Sequence, residues 1–573
     1  MARRSEWDET SLDNSTREKP SMTFEQFPRV PSKIGFLLLC LLFSGFTQAA
    51  TPPTAYKVAQ IAVKNATATF GQGLNTSGAV VGLYTTASAT EGYMYASGKY
   101  SLIKVPKSNN VTRAFGINDS NLIVGDFLGT DGFYHGFKLS GTKYTQYDVD
   151  KGVVSTSIFG VNNAGDFVGT AGAEGYVNIG GTVTEFYASG TDVTFAYGVN
   201  TADQIVGQYF DSSNNSHGFY RDSSGTITEV AYPGALQTVC LGINDSGEIV
   251  GYYENSANQF YGFTDIAGVF ATIDFINVNG VNNNGVLSGS YIGPGPTGGV
   301  EYGIIATPTA LKSLSSVAVP KAVSTSIIGV NNAGSLVGFY ETSASVFHGL
   351  LLVGKTITNL DDPKALAGTT SAQGVNTANE VVGYYQPTST TWTGFLYSAG
   401  TFTDIAVPGA TSTFAENITD AGVVAGAYID SGNVEHAFTY NGSTYTTLDV
   451  PGSTSGYGWG INAAGDVTVT WIDANGLSEG ALYNGTTFKI LNVPGAYETF
   501  IHSINKSGAI AYTWYDLYFN YHAAFSSGGN YYIFDDPSGT AAHADGINDS
   551  GLIVGRFLQG SSTTDYDGFK ATP

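Results

Sequence analysis

The sequence predicts an all-β protein of the β-propeller class, and three observations lead to this prediction. Glycine is abundant (74 of 573 residues), 13 % of the residues are aromatic and only 12 % are charged, which is typical of strands and tight turns. The motif Gly-Ile-Asn-Asp-Ser-Gly, followed by Ile-Val-Gly, lies at 242–251, and variants of it recur along the chain. Their spacing is near 43 residues, which indicates radially repeated four-stranded blades.

Twelve copies align on the asparagine of this motif, which a threonine replaces once. Asparagine, aspartate, serine and glycine between two apolar runs favour a hairpin turn, because their side chains cap the local backbone and glycine accepts positive φ. The aligned positions are Asn75, Asn118, Asn162, Asn200, Asn244, Asn282, Asn331, Asn376, Thr419, Asn462, Asn505 and Asn548.

Each copy predicts four strands, here called A to D. Strand A runs into the turn asparagine, as in 194–199, and strand B follows the turn, as in 205–209. Strand C carries a His-Gly-Phe type of motif, as in 217–220, and strand D alternates, as in 401–407. A proline then ends strand D, since proline cannot donate to a sheet ladder. A β-solenoid is the alternative, but the hairpin links favour antiparallel blades.

Twelve blades exceed the usual four to eight of one propeller, so we expect two six-bladed propellers at 51–310 and 311–573. A division into seven and five blades, or one large ring, stays open. The first predicted strand, Tyr56–Val63, would complete the sixth blade, and Leu314–Val319 would complete the twelfth. Both additions would cover exposed sheet edges.

Residues 1–50 predict an N-terminal extension that contains a secretory signal at about 22–49. The apolar run Ile34–Phe46 follows Arg29 and Lys33 and precedes small residues, and its 13 residues are short for a membrane span. We therefore expect a secreted or periplasmic protein with no membrane span after cleavage. A retained anchor is the alternative.

The copies resemble the HAF-repeat family of bacterial extracellular proteins. The resemblance rests on the turn motif, on His-Ala-Phe or His-Gly-Phe at 436–438, 217–219 and 135–137, and on Val-Pro-Gly-Ala at 407–410 and 493–496. It covers nearly all of 56–573 and implies an exported repeat protein. It supplies no catalytic residues.

The net charge of the chain and its cysteine and histidine residues indicate which kinds of partner and metal site to expect. The formal net charge of −23 argues against nucleic acid, whose phosphates require clustered lysine and arginine. Cys240 is the one cysteine beyond the predicted signal and is expected to be a buried apolar residue. The turn residues and the strand C histidines are expected to be structural, so no metal site and no cofactor are predicted. These histidines are His135, His217, His348, His436 and His522.

The position three residues before the turn asparagine varies most among the copies. In the last five copies it is polar or tryptophan, namely Gln373, Glu416, Trp459, His502 and Asp545. If strand A is innermost, Glu416, His502 and Asp545 could converge at a channel mouth as an acid/base group. Trp459, Gln373 and Trp392 are the candidate ligand-binding residues, since aromatic faces and polar edges suit sugars. Isolated polar contacts between blades are the alternative.

Three functions follow from this pattern. The first is a secreted, non-catalytic binding module for polysaccharide or another envelope component. The second is a glycoside hydrolase or lyase with its site in the C-terminal propeller. The third is a purely structural extracellular repeat. Convergence of the titratable groups in an open pocket would favour the enzyme, and an aromatic-rich face would favour binding.

Overall fold

The structure is a computed structural model that describes residues 55–106, 108–149, 154–188, 193–273, 276–293, 300–311, 313–342, 346–534, 542–558 and 566–572. These residues belong to one compact unit, Ala50–Pro573. Their regular secondary structure is entirely β, which confirms the all-β prediction. Within these ranges no helix is long and apolar enough to cross a membrane. The predicted signal at 22–49 lies outside the described residues.

The strands fall into four classes by their place in the repeat. The A strands are β2 (Ala68–Leu74), β6 (Thr112–Ile117), β10 (Thr156–Val161), β14 (Val193–Val199), β18 (Gln237–Ile243), β22 (Asn277–Val281), β26 (Ser324–Val330), β30 (Ser371–Val375), β34 (Ser412–Ile418), β38 (Ser455–Ile461), β42 (Glu498–Ile504) and β46 (Ala542–Ile547). The B strands are β3 (Val80–Thr85), β7 (Ile123–Leu128), β11 (Phe167–Ala171), β15 (Ile205–Phe210), β19 (Ile249–Glu254), β23 (Leu287–Gly293), β27 (Leu336–Glu341), β31 (Val381–Thr388), β35 (Val424–Ile429), β39 (Val467–Ile472), β43 (Ile510–Tyr515) and β47 (Ile553–Leu558). The C strands are β4 (Thr90–Ala96), β8 (Tyr134–Ser140), β12 (Glu174–Ile179), β16 (Ser216–Arg221), β20 (Phe260–Ile266), β24 (Val300–Thr309), β28 (Phe347–Val353), β32 (Thr391–Ser398), β36 (Glu435–Tyr440), β40 (Ser478–Tyr483), β44 (Tyr521–Ser527) and β48 (Tyr566–Thr572). The D strands are β5 (Lys99–Ile103), β9 (Lys143–Tyr147), β13 (Thr182–Phe186), β17 (Ile227–Val230), β21 (Val269–Ile273), β1 (Ala55–Ile61), β29 (Thr356–Leu360), β33 (Thr401–Ile405), β37 (Tyr445–Leu448), β41 (Phe488–Ile490), β45 (Asn530–Phe534) and β25 (Ser313–Val317).

Neighbouring strands of a repeat pair antiparallel in the order A, B, C, D. Nine of the resulting sheets are separate and four-stranded, and the remaining strands join in one twelve-stranded sheet. The four strands predicted per repeat are therefore confirmed. The predicted strand at 401–407 is shorter than expected, because β33 ends at Ile405 and the chain turns at Pro408.

Each A strand packs against the A strands of the two adjacent repeats. In repeats 1 to 6, here the N-terminal half, β2 contacts β6 and the succession continues through β10, β14, β18 and β22, which contacts β2 again. In repeats 7 to 12, the C-terminal half, β26 contacts β30 and the succession likewise returns from β46 to β26. The A strands of each half therefore form a closed series of contacts between adjacent repeats.

The two strands expected to complete unfinished sheets do so. β1 pairs antiparallel with β24 in repeat 6, and β25 pairs antiparallel with β48 in repeat 12. The other edge of β1 also pairs with β45 of repeat 11, which the sequence analysis does not predict. One buried apolar cluster includes Val58 and Ile304 together with Trp514 and Ile533, so the two halves share a core.

The repeated asparagine holds its own turn. The Asn244 Oδ1 atom accepts hydrogen bonds from the backbone N–H of Ser246 (3.1 Å) and of Glu248 (3.0 Å). The Asn244 carbonyl accepts a bond from the Gly247 N–H (3.0 Å), where the backbone has φ 83°. This left-handed conformation suits glycine, so the structural interpretation of the turn motif is confirmed.

The side-chain amide of the same asparagine joins neighbouring repeats. In the N-terminal half each turn asparagine donates from Nδ2 to the carbonyl of the next, and Asn282 donates back to the carbonyl of Asn75 (2.9 Å). In the C-terminal half five asparagines continue this succession, which Thr419 interrupts, and Asn548 donates to the carbonyl of Asn331 (3.0 Å). Each circuit contains six turns.

Thr419 is the weak point of the second circuit. Its hydroxyl accepts a bond from the Val423 N–H (3.1 Å), as an asparagine oxygen would, but it has no amide to donate to Asn462. We expect Thr419→Asn to stabilise the protein by about 1 kcal/mol, because it would supply that missing donor to a buried carbonyl. Thermal unfolding of both proteins measures the difference, with Asn244→Thr as the reciprocal control. A lower melting temperature for Thr419→Asn would contradict this account.

The strand C histidines have structural partners, as expected. His135 Nδ1 lies 2.8 Å from Asp148 Oδ1, and its ring packs 5.4 Å from that of Phe127 on strand B. Burial alone would lower the pKa of His135, but the hydrogen bonds to Asp148 and Asp131 outweigh it and the pKa is raised. His217, His348 and His436 repeat this arrangement with Glu229, Asp361 and Asp449. Cys240 is fully buried, which confirms its assignment to the core.

Candidate functional site

The variable position of strand A is a β-bulge. The pairing of strands A and B shifts between Ala415 and Asn417, so Glu416 is the extra residue, and the same shift occurs around Gln373, Trp459, His502 and Asp545. A bulge leaves one residue outside the regular pairing and redirects its side chain. The residue at this position is therefore not constrained by the regular strand pairing that the copies share, so it can differ between them.

Bulge side chains of adjacent repeats contact each other. The rings of Phe115 and Phe159 lie 5.1 Å apart, as do those of Phe159 and Tyr197, all in the N-terminal half. In the C-terminal half the rings of Trp459 and His502 lie 4.9 Å apart, edge to face. Bulge side chains thus contact one another between repeats, with three aromatic residues among the six of the first half and four polar residues among the six of the second.

Glu416 is buried and bound to a tyrosine of the next repeat. The Tyr457 hydroxyl donates to Glu416 Oε1 at 2.6 Å, and Glu416 is only 4 % exposed. Burial raises the pKa of Glu416 to about 8, although the bond from Tyr457 lowers it in part. The carboxyl group is therefore protonated and uncharged at neutral pH.

His502 and Asp545 lie at the bulges of repeats 11 and 12, and Trp459 of repeat 10 separates them from Glu416 along the succession. His502 Nε2 lies 3.1 Å from Thr513 Oγ1, and burial, assisted by the positive charge of Arg556, lowers the pKa of His502 to about 3. Asp545 is buried, and its Oδ2 atom lies 4.0 Å from Arg556 Nε. Glu416, His502 and Asp545 each have a principal partner within the protein, and an acid/base role for them stays a prediction.

The three candidate ligand-binding residues differ in their surroundings. Gln373 is buried and donates to Ser371 Oγ (2.9 Å) in its own strand. Trp392 and Trp459 are half-buried, Trp392 at the start of a C strand and Trp459 at a bulge. The structure connects these two tryptophans through other aromatic side chains.

These side chains form an aromatic layer, defined here as Tyr384, Trp392, Phe414, Tyr457 and Trp459. Tyr384 lies 5.3 Å from Trp392 and 5.1 Å from Phe414, measured between ring centroids. Phe414 lies 5.9 Å from Tyr457, which lies 4.5 Å from Trp459. The layer crosses repeats 8 to 10 and reaches His502 of repeat 11.

Two carboxyl groups flank Tyr457 in this layer. Burial raises the pKa of Tyr457 most, and the nearby carboxyl groups of Glu416 and Glu435 raise it further, because ionisation of either would disfavour the tyrosinate. Glu435 is half-buried, accepts a bond from Ser455 Oγ (3.0 Å), and has a pKa that burial raises. The arrangement can therefore offer aromatic faces together with hydroxyl and carboxyl groups.

Tyr384, Phe414, Tyr457 and Glu435 are not among the residues predicted from the sequence. Phe414 and Tyr457 lie two residues before a bulge on strand A, and Tyr384 faces this row from strand B. Phe414 and Tyr457 each lie five residues before the aligned turn position of their repeat. That position varies among the copies, as the position three residues before the turn does, and this variation is the sequence signal for both residues.

A cavity of about 60 Å³ lies at the turns of the N-terminal half. Turn residues of all six repeats line it, among them Asn75, Asp119, Asn163, Asn244 and Asp245. The Asp245 carboxylate accepts bonds from the Thr201 N–H (2.8 Å) and from Asn283 Nδ2 (2.7 Å). This volume is far below the 300 Å³ or so of small ligand pockets, so the cavity is not the candidate site.

Within the described ranges, no group of three or more histidine, cysteine, aspartate or glutamate side chains could hold a metal ion.

Comparisons with known proteins give no family. No family model and no curated protein matches the chain. Among solved structures, a mutant form of AofleA from Arthrobotrys oligospora is similar at 14 % identity and a TM-score of 0.32, over 46 % of this chain and 88 % of that one. A gluconolactonase from Xanthomonas campestris gives 11 % identity and a TM-score of 0.29, over 44 % and 88 %. The six-bladed β-propeller lectin of Aleuria aurantia gives 12 % and 0.20, over 60 % and 95 %.

At these identities and TM-scores the likeness carries no argument about function. The candidate function therefore rests on the residues of the chain itself.

Proposed function

We propose that the protein is an exported, non-catalytic glycan-binding protein of the HAF-repeat type, built as two six-bladed β-propellers at 51–310 and 311–573. Two circuits of six turns, joined by asparagine amides at every turn of the first and at five of the six turns of the second, support six blades in each half. The pairing of β1 with β24 and of β25 with β48 supports the completion of the sixth and twelfth blades. A seven-plus-five division would require a circuit of seven turns.

The aromatic layer carries the functional part of this proposal. Sugar rings present apolar C–H faces and polar hydroxyl edges, and aromatic rings beside hydrogen-bonding groups match both. The layer supplies half-buried tryptophans, and Glu416, Glu435 and Tyr457 supply hydrogen-bonding atoms beside them. With Glu416 and His502 uncharged at neutral pH, the surroundings favour an uncharged ligand.

A glycan array with the mature protein tests this function. We expect binding to neutral glycans, and a loss of roughly tenfold or more in affinity for Trp459→Ala and for Glu416→Ala, since the first removes a ring of the layer and the second removes the carboxyl group bound to Tyr457. Phe159→Ala is the matched control, because Phe159 occupies the same bulge position in the N-terminal half. Absence of signal on every glycan would contradict the proposal and favour a purely structural repeat protein.

A second function is favoured by one observation, the burial of the Glu416 carboxyl group, which raises its pKa. A carboxyl group with a raised pKa can act as a general acid, as a glycoside hydrolase or lyase requires. Its burial and its bond to Tyr457 favour binding instead. Release of shortened sugars by the wild-type protein, but not by Glu416→Gln, would establish the enzyme and overturn the non-catalytic proposal.

Export is proposed from the sequence at 22–49. Expression of the full chain in a bacterial host, followed by N-terminal sequencing of the protein outside the cytoplasm, tests it. We expect a new N-terminus near Ala50.

A further inference from the structure

Six of the loops between strands B and C share one backbone arrangement. In each, the N–H of the fourth residue donates to the carbonyl of the first, and the N–H of the first donates to the carbonyl of the fifth. These loops are 129–133, 211–215, 255–259, 430–434, 473–477 and 516–520. Because their hydrogen bonds are the same, differences in their side chains can be compared position by position.

The fourth residue of every such loop has the left-handed conformation. Five loops place glycine or asparagine there, which tolerate positive φ, whereas repeat 11 places Phe519 there at φ 64°. Bulky residues are rare in this conformation because the Cβ atom approaches the backbone. The occupants in order are Gly132, Asn214, Asn258, Asn433, Gly476 and Phe519. Phe519 therefore strains a loop that five homologous loops form without strain.

Packing does not account for the phenylalanine. Phe519 is 58 % exposed, and its ring makes two aromatic contacts among the described residues, both T-shaped, with Tyr497 (5.8 Å) and Tyr515 (6.3 Å). Tyr518 instead holds the loop, since its hydroxyl accepts a bond from the Phe260 N–H (2.7 Å) and its ring lies 5.2 Å from that of Tyr261. The loop is thus anchored with the Phe519 ring facing solvent. Strain that packing does not offset is typical of functional positions.

The rings around Phe519 continue the aromatic layer into repeats 11 and 12. Tyr515 lies 5.2 Å from Phe500 and 4.3 Å from Tyr521, which lies 4.6 Å from His543. Phe500 precedes His502 by two residues on β42, and His502 contacts Trp459 of the layer. Aromatic side chains therefore extend from Trp392 in repeat 8 to Phe519 in repeat 11.

We propose that Phe519 is a stacking platform for a sugar ring, so that the C-terminal half binds a neutral oligosaccharide rather than a single sugar. This inference rests on the proposed glycan-binding function. An exposed aromatic ring with two tyrosines beside it suits the C–H face of a pyranose. The net charge of −23 and the carboxyl groups of Asp516 and Glu498 in the same repeat disfavour an anionic polysaccharide.

The test is Phe519→Asn, which gives this loop the residue that three equivalent loops carry. Binding of the mature protein to neutral xylo-, manno-, cello- and malto-oligosaccharides, from monomer to hexamer, is measured by calorimetry. We expect Phe519→Asn to raise the melting temperature by about 1–3 °C, since the strain is relieved. We expect it to lower the affinity for the longer members by roughly tenfold while leaving that for the shortest unchanged.

Asn433→Phe in repeat 9 is the matched control. It introduces the same strain in an equivalent loop, and we expect a lower melting temperature with unchanged affinity. Wild-type binding with unchanged affinity in Phe519→Asn would overturn this inference alone. Absence of wild-type binding to every member would overturn the proposed function as well. A change in sedimentation without a change in affinity would assign Phe519 to protein association and overturn the stacking role. A lower melting temperature for Phe519→Asn would overturn the strain argument.

Discussion

The Gly207→Ala variant is expected to lose about 3–5 kcal/mol of folding free energy, a large part of the stability of most proteins. Gly207 lies on β15 between Ala196 of strand A and Phe219 of strand C. A Cβ atom at this position would stand 2.0 Å from the Phe195 carbonyl oxygen and 2.7 Å from the ring of Phe219. Phe219 is fully buried, so neither neighbour can move without disturbing the sheet.

Urea unfolding of Gly207→Ala and of the wild type measures this loss. Gly456→Ala is the matched control, because a Cβ atom at Gly456 on β38 would stand 3.9 Å from Val469 Cγ1, an ordinary van der Waals contact. We expect the control to change the free energy of unfolding by less than about 1 kcal/mol. Equal effects of the two substitutions would show that the close contact at Gly207 does not limit the fold.

Glu416 is expected to make stability fall as pH rises. Its folded pKa is about 8, above the ordinary value of 4.5, so the folded protein keeps a proton that the unfolded chain has released. Between about pH 4.5 and 8 the folded state therefore binds more protons, and stability declines by up to about 1.4 kcal/mol per pH unit from this group. The decline levels off above the folded pKa.

The measurement compares melting temperatures of the wild type and of Glu416→Gln across this range. Glutamine keeps an acceptor for the Tyr457 hydroxyl but has no proton to lose. Other buried acids, such as Glu435 and Glu248, also have raised pKa values and act in both proteins, so the difference between the two isolates Glu416. If the variant and the wild type lose stability in parallel from pH 4.5 to 8, Glu416 is charged in the folded protein and its assignment here is wrong.

The repeat pattern predicts the strands because turn and strand chemistry are local. Asparagine and glycine at fixed offsets define the turns, and the predicted pairing of Tyr56–Val63 with the sixth sheet is confirmed by β1 and β24. The second pairing of β1, with β45, could not be predicted, because the pattern of one repeat does not specify which outer edge another will meet.

The candidate site was predictable only as a set of positions. Variation before the turn asparagine identifies Glu416 and Trp459, but the bulge that redirects them depends on pairing between strands. The state of Glu416 depends on Tyr457, which lies in the next repeat, and no local pattern gives that contact. Phe519 was missed because its loop appears unremarkable until its φ is compared with those of equivalent loops.

The sizes of paired side chains on strands B and C compensate for each other, which becomes clear once the pairing is known. Where strand B has glycine, strand C places a large residue opposite, as with Gly207 and Phe219. Repeats 10 and 11 reverse this, with Val469 opposite Ala481 and Tyr512 opposite Ala524. The copies that lack the glycine therefore keep the core filled.

Both edges of β1 can be paired only after the chain has been synthesised as far as β45. Synthesis proceeds from the N-terminus, so β1 (Ala55–Ile61) is made long before β24 (Val300–Thr309) and β45 (Asn530–Phe534), its two partners. Contacts so distant in sequence form slowly, and until then the strand presents unpaired edges. A prematurely terminated chain would lack β45 and keep one edge open to aggregation or proteolysis. The junction thereby distinguishes finished molecules from fragments.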